Sequence, residues 1–525
     1  MKKINNMLLI FLFGISFTNI PEQRIVAEWE PAIGTMIRWP LGIPSNLVVE
    51  LASDDILYVL VENIQQQGSA QSNFENWNVN MSNVVFIFTE SYSHWTRDHG
   101  PQFLIGENNW QVINQQFNGY PEENGCESQN NLNNFEYGRY IKSNQRGWEE
   151  DDDTNIDFAN QLGWDIKDLD LYWTGGNFMT DGYGMAFSTQ LMTNENEIEN
   201  NIFKEIMNQE LFLSDYHILD NPNEISIQHI DCMAKLVGPE TIIIKQVSES
   251  SPEYDCIEDF AESFYSLNTF YDRPFEIKRI FCPEVPGGPW ENNPVAAYTN
   301  SLILNNKVLV PKYGLPEDDL AIQTFRDAMP GYEIIGFEGS NFDPWYAEDA
   351  LHCRTKGIFN QDMIHLSHKS IRTNELFTNN IDIEVEIIDY GNNNSEMESV
   401  IVYWKYSNND GPYLDFDLDF TSSINNSTIY SGQFPQVNVN EEIEYYIKAQ
   451  NNNGNIAQHP TAGWHNFTLE NILGDINGDN MVNIQDVILL INDILNDNFN
   501  LIADLNSDGL VDVLDVVILI NMILD

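Results

Sequence analysis

Residues 371–470 carry the clearest alternation in the chain. The runs IDIEVEIIDY, SVIVYWKY, STIYSGQF and EEIEYYIKAQ alternate or are rich in β-branched residues, and NNNS, NNDG and NNNG turns separate them. Side chains two apart on a strand share a face, so this stretch predicts an antiparallel, immunoglobulin-like β-sandwich, with Trp404 and Tyr445 in its core. Beyond residue 471 the period lengthens. Val487, Ile488, Ile491, Ile494 and Leu495, then Val516, Val517, Ile520, Ile523 and Leu524, predict two helices with apolar stripes. Upstream, ISIQHIDCMAKLV alternates like a strand, which would turn His229 and Asp231 towards one pocket. At the start, Lys2 and Lys3 precede an apolar stretch from Met7 to Phe17, the pattern of a secretory signal and too short for a membrane span. Periodicity over residues 22–370 predicts an α/β fold and nothing finer.

Composition narrows the partners. A length of 525 residues suggests about three to four domains. Twenty-four basic against 80 acidic residues give a formal charge of −56, which argues against a nucleic-acid partner because no basic surface is available. The densest acidic run, EEDDDTNID at 149–157, reads as a solvated loop. Five cysteines, at 126, 232, 256, 282 and 353, are too sparse for a disulfide framework, and the sequence leaves their pairing open.

Candidate chemistry centres on Cys353. A free cysteine is more often a small buried hydrophobe than a nucleophile, and an isolated His-x-Asp is weak evidence. Three separated segments nevertheless supply what a cysteine attacking a guanidinium requires: Asp98 in WTRDHGP, His229 and Asp231 in QHIDC, and Asn300 in AYTNSL. Two carboxylates hold a planar cation in a fixed plane, and a thiol needs a proton partner to act as thiolate. The turn residues around Asp98 place it at the end of an element rather than inside a core. The two carboxylates would also raise the thiol pKa by like-charge repulsion, so that the bound cation itself makes the thiolate accessible. In TGGNFMTDG, Gly175 and Gly176 lack the Lys-Ser/Thr of a phosphate loop and read as backbone close to the substrate. Trp95, beside the Asp98 turn, reads equally as a ring that stacks on an arginine and as an ordinary core tryptophan.

These segments, with EWEPAIGTMIRWP near residue 28 and LHC at 351–353, make residues 22–370 resemble the agmatine deiminase and Porphyromonas-type peptidylarginine deiminase family. The resemblance implies a five-bladed α/β propeller (pentein) with the site on its axis. It further implies catalytic roles for Cys353, His229, Asp98, Asp231 and Asn300, and substrate contacts from Trp95, Asp98, Asp231, Gly175 and Gly176. The implied reaction is deimination of peptidyl arginine to citrulline and ammonia, or of agmatine to N-carbamoylputrescine and ammonia, with no cofactor; a non-catalytic scaffold or adhesion protein is the remaining alternative. Secreted relatives carry arginines shortly after the segment reading INQQFNGYPEEN here; in this chain Arg139 and Arg146 come only later.

GDINGDNMVNIQD and ADLNSDGLVDVLD repeat at an offset of 29, and each places oxygen donors at calcium-loop spacing. The first set is Asp475, Asn477, Asp479, the Met481 carbonyl and Asp486; the second is Asp504, Asn506, Asp508, the Leu510 carbonyl and Asp515. Without a helix before the first loop, and with Asp at position 12, the pair resembles a type I dockerin. That family implies two Ca2+ ions and a cohesin-bearing partner. The expected organisation is a signal peptide at 1–21, a deiminase at 22–370, a sandwich at 371–470 and a dockerin at 471–525, secreted or held at the cell surface without a membrane span.

Overall fold

The computed structural model describes residues 20–106, 109–120, 126, 148–223, 227–286, 295–340, 344–346, 349–373, 381–391, 397–469, 473–477, 481–496, 498, 502–506 and 508–524. The signal-like segment, Arg139, Arg146 and Asp479 lie outside them.

Five sheets fill residues 23–359, and all obey one local rule. A first strand pairs antiparallel with a longer second strand, and a helix then returns the chain to a parallel strand beside the second. Ala234–Leu236, Thr241–Gln246 and Glu276–Phe281 follow it around the helix Tyr254–Tyr265. Leu302–Leu304, Lys307–Lys312 and Glu333–Glu338 repeat it around Asp318–Ala328. So do Met179–Thr180, Met185–Thr189 and Asp215–Leu219 around Asn200–Leu211. The sheet with Gln102–Gly106, Asn109–Gln116 and Ile166–Tyr172 adds an outer strand, Gln23–Ile25. The last sheet closes the chain on itself, because Lys356–Phe359 pairs with Ala32–Arg38 from the other end of the region.

The sequence explains this alternation. The second strands are covered on both faces, so they read as nearly continuous apolar runs such as TIIIK and KVLV, and their side chains are almost wholly buried. Parallel neighbours need a crossover, and amphipathic helices such as Tyr254–Tyr265 supply it by burying Ile257, Phe260, Ala261 and Phe264 against the sheet.

Two further sheets make the sandwich. Asp382–Asp389, Met397–Tyr406, Ser427–Gln433 and Glu442–Asn451 lie where the alternating runs predicted strands. The strand Ile364–Ser367 pairs antiparallel with Asp382–Asp389 and so belongs to the same layer. Trp404 and Tyr445 are buried, as expected.

Two expectations need correction, and one open question is answered. The acidic run at 149–157 is not a loop: it lies largely in the helices Trp148–Asp152 and Thr154–Leu162. Asp151 is fully buried and accepts the Tyr92 and Ser93 amides, so part of this charge caps backbone instead of facing water. The pairing that the sequence leaves open is answered by one bridge: Cys126 and Cys256 form a disulfide while Cys232, Cys282 and Cys353 are free. The helices Ile484–Leu495 and Val513–Leu524 exist as expected, but of the predicted stripes only Val487, Ile494, Val516 and Ile523 face their seam. Leu490 and Leu519 are fully buried with Val487, whereas Ile488, Ile491, Leu495, Val517, Ile520 and Leu524 are exposed. Helices apolar on nearly every side leave periodicity unable to tell a core face from an outer one.

Among the described residues, no helix is long and apolar enough to cross a membrane.

Candidate active site

Each sheet sends one residue to the same place. Asp98, Gly176, Asp231, Asn300 and Cys353 all lie two to four residues before the first strand of their antiparallel pair, at Gln102, Met179, Ala234, Leu302 and Lys356. The five segments meet through backbone and side-chain hydrogen bonds. The Arg97 amide donates to the Cys353 carbonyl at 3.1 Å. Gly176 donates its amide to Asp98 Oδ1 at 3.0 Å. Asn300 Oδ1 accepts the amides of His352 at 3.0 Å and Cys353 at 3.3 Å, and its Nδ2 donates to Cys353 Sγ at 3.2 Å.

Two expectations about these segments change in detail. His229 and Asp231 do not alternate on a strand; His229 caps a 3-10 turn, Ile230–Cys232, and the strand begins only at Ala234. The turn still brings both side chains to one point, because Asp231 is drawn towards His352. Asp98 is not at an exposed element end: it is 1% exposed, inside the one-turn helix Thr96–His99. Its carboxylate accepts the Gly176 amide and, at 2.6 Å, the Tyr120 hydroxyl.

A virtual Cβ on Gly176 locates the centre of the pocket. It would lie 2.7 Å from Asp98 Oδ1 and 3.1 Å from both Asp231 Oδ2 and His229 Nδ1. Three groups able to meet a guanidinium therefore converge where this residue has no side chain. A Cβ on Gly175 would strike the Arg97 carbonyl at 2.1 Å, so that position is glycine for backbone packing. Trp95 packs edge-on against Tyr120, with centroids 5.1 Å apart, and buttresses the ring that holds Asp98.

The electrostatics separate the two carboxylates. Burial raises Asp98 well above the ordinary range, and the neighbouring Asp231 charge adds to this, against the hydrogen bonds from Tyr120 and Gly176. Burial presses Asp231 upwards too, but the His352 hydrogen bond and the charges of His352 and His229 hold it below its ordinary value. His229 is pushed down to about 4 by burial, against the pull of Asp231. For Cys353, a hydrogen bond from Cys232 lowers the pKa, but burial and the charges of Asp231 and Asp98 prevail and push the thiol up to about 12. At neutral pH the pocket thus favours a neutral thiol on Cys353 and a neutral imidazole on His229.

The sequence reading missed several groups that complete the site. His352 Nδ1 lies 2.7 Å from Asp231 Oδ2, and its Nε2 lies 2.5 Å from Glu28 Oε2. Glu28 is held in turn by Arg97 at 3.0 Å and Lys235 at 2.9 Å. Cys232, next to Asp231, is 3.9 Å from Asn300 Nδ2. The signals were present: His352 adjoins the nucleophile candidate, Glu28 lies within EWEP and Tyr120 within FNGY. None has a spacing that ties it to the others.

In the C-terminal repeat, Asp486 accepts the amides of Ile476, Asn477 and Asn483, and Asp515 those of Leu505, Asn506 and Asp512. Gly509 takes a φ of +84°, the left-handed turn that a calcium loop needs there. Asp475, Asp486, Asp504 and Asp515 are all buried. Residues 466–525 contain no Lys, Arg or His at all, so no side chain of the repeat can neutralise them. Hard oxygen donors without a cationic side chain fit a bound cation. Among the described residues, no group of acidic, His or Cys side chains is gathered as a formed metal site.

Comparison with known proteins agrees with this geometry. A family model of Porphyromonas-type peptidyl-arginine deiminases matches residues 24–358. The type I dockerin domain matches residues 473–524. A Lactococcus lactis protein bearing the agmatine deiminase name is 25% identical over 326 residues, covering 55% of this chain and 80% of its own. Its Enterococcus faecalis counterpart is 24% identical over 318 residues, covering 55% and 80%. Among solved structures, the agmatine deiminase of Enterococcus faecalis superposes with a TM-score of 0.51 at 19% identity, covering 64% of this chain and 96% of that one. The arginine deiminase candidate of Porphyromonas gingivalis gives 0.52 at 18%, covering 64% and 98%. At such identities the superpositions speak for the fold, and the family match speaks for the chemistry. The chain is a deiminase hydrolase that belongs to the Porphyromonas-type peptidyl-arginine deiminase family and carries a type I dockerin domain at its C-terminus.

Proposed function

We propose that this protein is a secreted deiminase that converts peptidyl arginine to citrulline and ammonia through a thiouronium on Cys353. The observation that carries the reading is the convergence of Asp98, Asp231 and His229 on Gly176, with Cys353 Sγ 3.8 Å from Asp231 Oδ2. In the proposed sequence, the guanidinium enters between Asp98 and Asp231, whose carboxylates hold its nitrogens. A cation about 4 Å from an anion is worth about 4 kcal/mol at an effective dielectric of 20, or roughly three pKa units, so substrate binding brings the thiol from about 12 towards 9. The thiol proton passes to His229 and the thiolate attacks the central carbon. His229 returns that proton to one nitrogen of the tetrahedral adduct, the C–N bond breaks and ammonia leaves. Water then attacks the thiouronium with His229 as base. The C–S bond breaks, releasing the ureido product, and Cys353 recovers its proton. Asn300 holds the sulfur by its 3.2 Å contact, and Trp95 and Gly175 shape the pocket wall.

The five sheets around these converging segments support a five-bladed propeller for residues 22–370, followed by the sandwich at 371–470 and the dockerin at 471–525. Asp475, Asn477, Asp479, Met481, Asp486 and Asp504, Asn506, Asp508, Leu510, Asp515 are proposed to hold two Ca2+ ions. The exposed apolar faces of the two helices suit docking to a cohesin outside the cell, reached by way of the signal at 1–21.

Agmatine is the second reading, because similar proteins bear that name. Incubation with agmatine, free arginine and arginine peptides, beside Cys353→Ala, decides between them. Ureido product and ammonia that persist in the variant would remove the thiol mechanism; turnover of agmatine alone would make the small guanidine the substrate.

A further inference from the structure

One imidazole faces two carboxylates behind the pocket. His352 Nδ1 is 2.7 Å from Asp231 Oδ2 and Nε2 is 2.5 Å from Glu28 Oε2, with every group at least four-fifths buried. Two nitrogen–oxygen contacts this short need two protons, since lone pairs facing each other at these distances repel. Glu28 does not supply one: Lys235 Nζ at 2.9 Å and the Ile303 amide at 3.2 Å donate to its Oε1, and the Arg97 guanidinium, an ion pair 3.0 Å from Oε2, favours its ionised form. A proton on Asp231 would remove the charge that meets the guanidinium. We propose that His352 is a positioning residue that remains doubly protonated at neutral pH, and by that charge keeps Asp231 ionised and fixed in the plane that receives the substrate.

Charge balance supports the assignment. The groups facing His352 are Asp231, Glu28, Arg97 and Lys235. With substrate bound, Asp98, Asp231, Glu28 and the Cys353 thiolate are negative, and Arg97, Lys235, the guanidinium and a charged His352 offset them one for one. Burial, together with the nearby Arg97 charge, presses Lys356 well down, and the same two causes press Lys235 down against the pull of Glu28. Burial and the same guanidinium also press His352 down, while Glu28 and Asp231 oppose them. The two short contacts decide in favour of the charged ring. The backbone strengthens the link: the His352 amide donates to Asn300 Oδ1, the residue whose Nδ2 holds Cys353 Sγ. One residue thereby ties the carboxylate, the amide and the nucleophile together.

The proposal rests on the deiminase reading of this site, and its test separates the two. In His352→Gln, the acid limb of kcat/KM moves up by about one pH unit or more, so that activity falls about tenfold further on that limb than on the plateau above it, mainly through KM. Glu28→Gln, which leaves Nε2 without an anion, moves the limb in the same direction by less. A merely structural role gives a loss equal at every pH, and that result, in folded variants, overturns the proposal. Independently of turnover, nitrogen NMR of histidine-labelled wild-type protein near pH 8 shows an imidazolium that is lost or shifted in either variant. Its absence also overturns the proposal, even if the wild type deiminates normally. Failure of the deiminase reading would instead appear as no ureido product from the wild type.

Discussion

The Gly176 amide donates to Asp98 Oδ1 at 3.0 Å, and a methyl group on that glycine would sit 2.7 Å from the same oxygen. One residue thus holds the carboxylate and leaves it open to the substrate. Gly176→Ala should fold, because the added carbon meets side chains of the pocket and no backbone. Displacing Asp98, Asp231 or His229 to make room should lower kcat/KM, by about 100-fold for a shift near 1 Å. Steady-state kinetics beside a thermal melt check this, and wild-type turnover would place the guanidinium elsewhere.

The high thiol pKa makes a second prediction, whose sign is unambiguous. At about 12 in the free enzyme, Cys353 is a thiol at neutral pH, so its thiolate fraction rises tenfold with each pH unit. A bound cation should lower the value by roughly three units. Titration by NMR of 13C-cysteine, with and without an unreactive amidine, measures both values. Cys232→Ala should raise the free-enzyme value further, because the Cys232 thiol is the main group lowering it. Equal values with and without the amidine would show that the substrate does not activate the nucleophile.

The catalytic candidates were legible because Asp98, His229, Asp231, Asn300 and Cys353 each stand in a short recognisable run, and four of the sandwich strands were legible because one face is wet. What stayed hidden depends on distance in sequence. His352 and Glu28 are separated by 324 positions and meet only because Lys356–Phe359 pairs with Ala32–Arg38. The same closure hid the fivefold rule, since strands buried on both faces carry no alternation to count. Helices at 148–162 were missed for a different reason: an acidic run looks solvated unless its carboxylates are known to accept backbone amides, as Asp151 and Asp152 do.

Calcium should govern the last fifty residues. Asp486 and Asp515 already order their loops through backbone amides, but ten aspartates at 473–525 repel one another without any basic side chain. Chelation should therefore unfold the helices Ile484–Leu495 and Val513–Leu524 while leaving deimination unchanged. Amide exchange in EDTA and in millimolar calcium checks this, and Asp486→Ala with Asp515→Ala, one from each loop, should make the protein insensitive to both. Protection that is identical with and without calcium would remove the metal from the account.

Acid should loosen the histidine cluster around His368, where Ile364–Ser367 runs into the sandwich. His368 Nδ1 contacts the Glu384 carbonyl at 2.6 Å and its Nε2 the Tyr445 hydroxyl at 2.9 Å, while His459 and His465 pack against its ring at 5.9 and 5.8 Å between centroids. Burial pushes His368 down to about 4, and pushes His459 and His465 well below the usual imidazole range. A group that is harder to protonate folded than unfolded binds more protons in the unfolded chain. Its stabilising contribution is therefore complete above the unfolded value near 6.5 and is lost as pH falls towards the folded value. For His368 the loss between 6.5 and 4 is about 3 kcal/mol, and the other two rings act in the same direction. Chemical denaturation at pH 7 and pH 5 should show this slope, and His368→Gln should flatten it even though losing two hydrogen bonds lowers stability at both. An unchanged slope in the variant would mean that the ring does not titrate on unfolding.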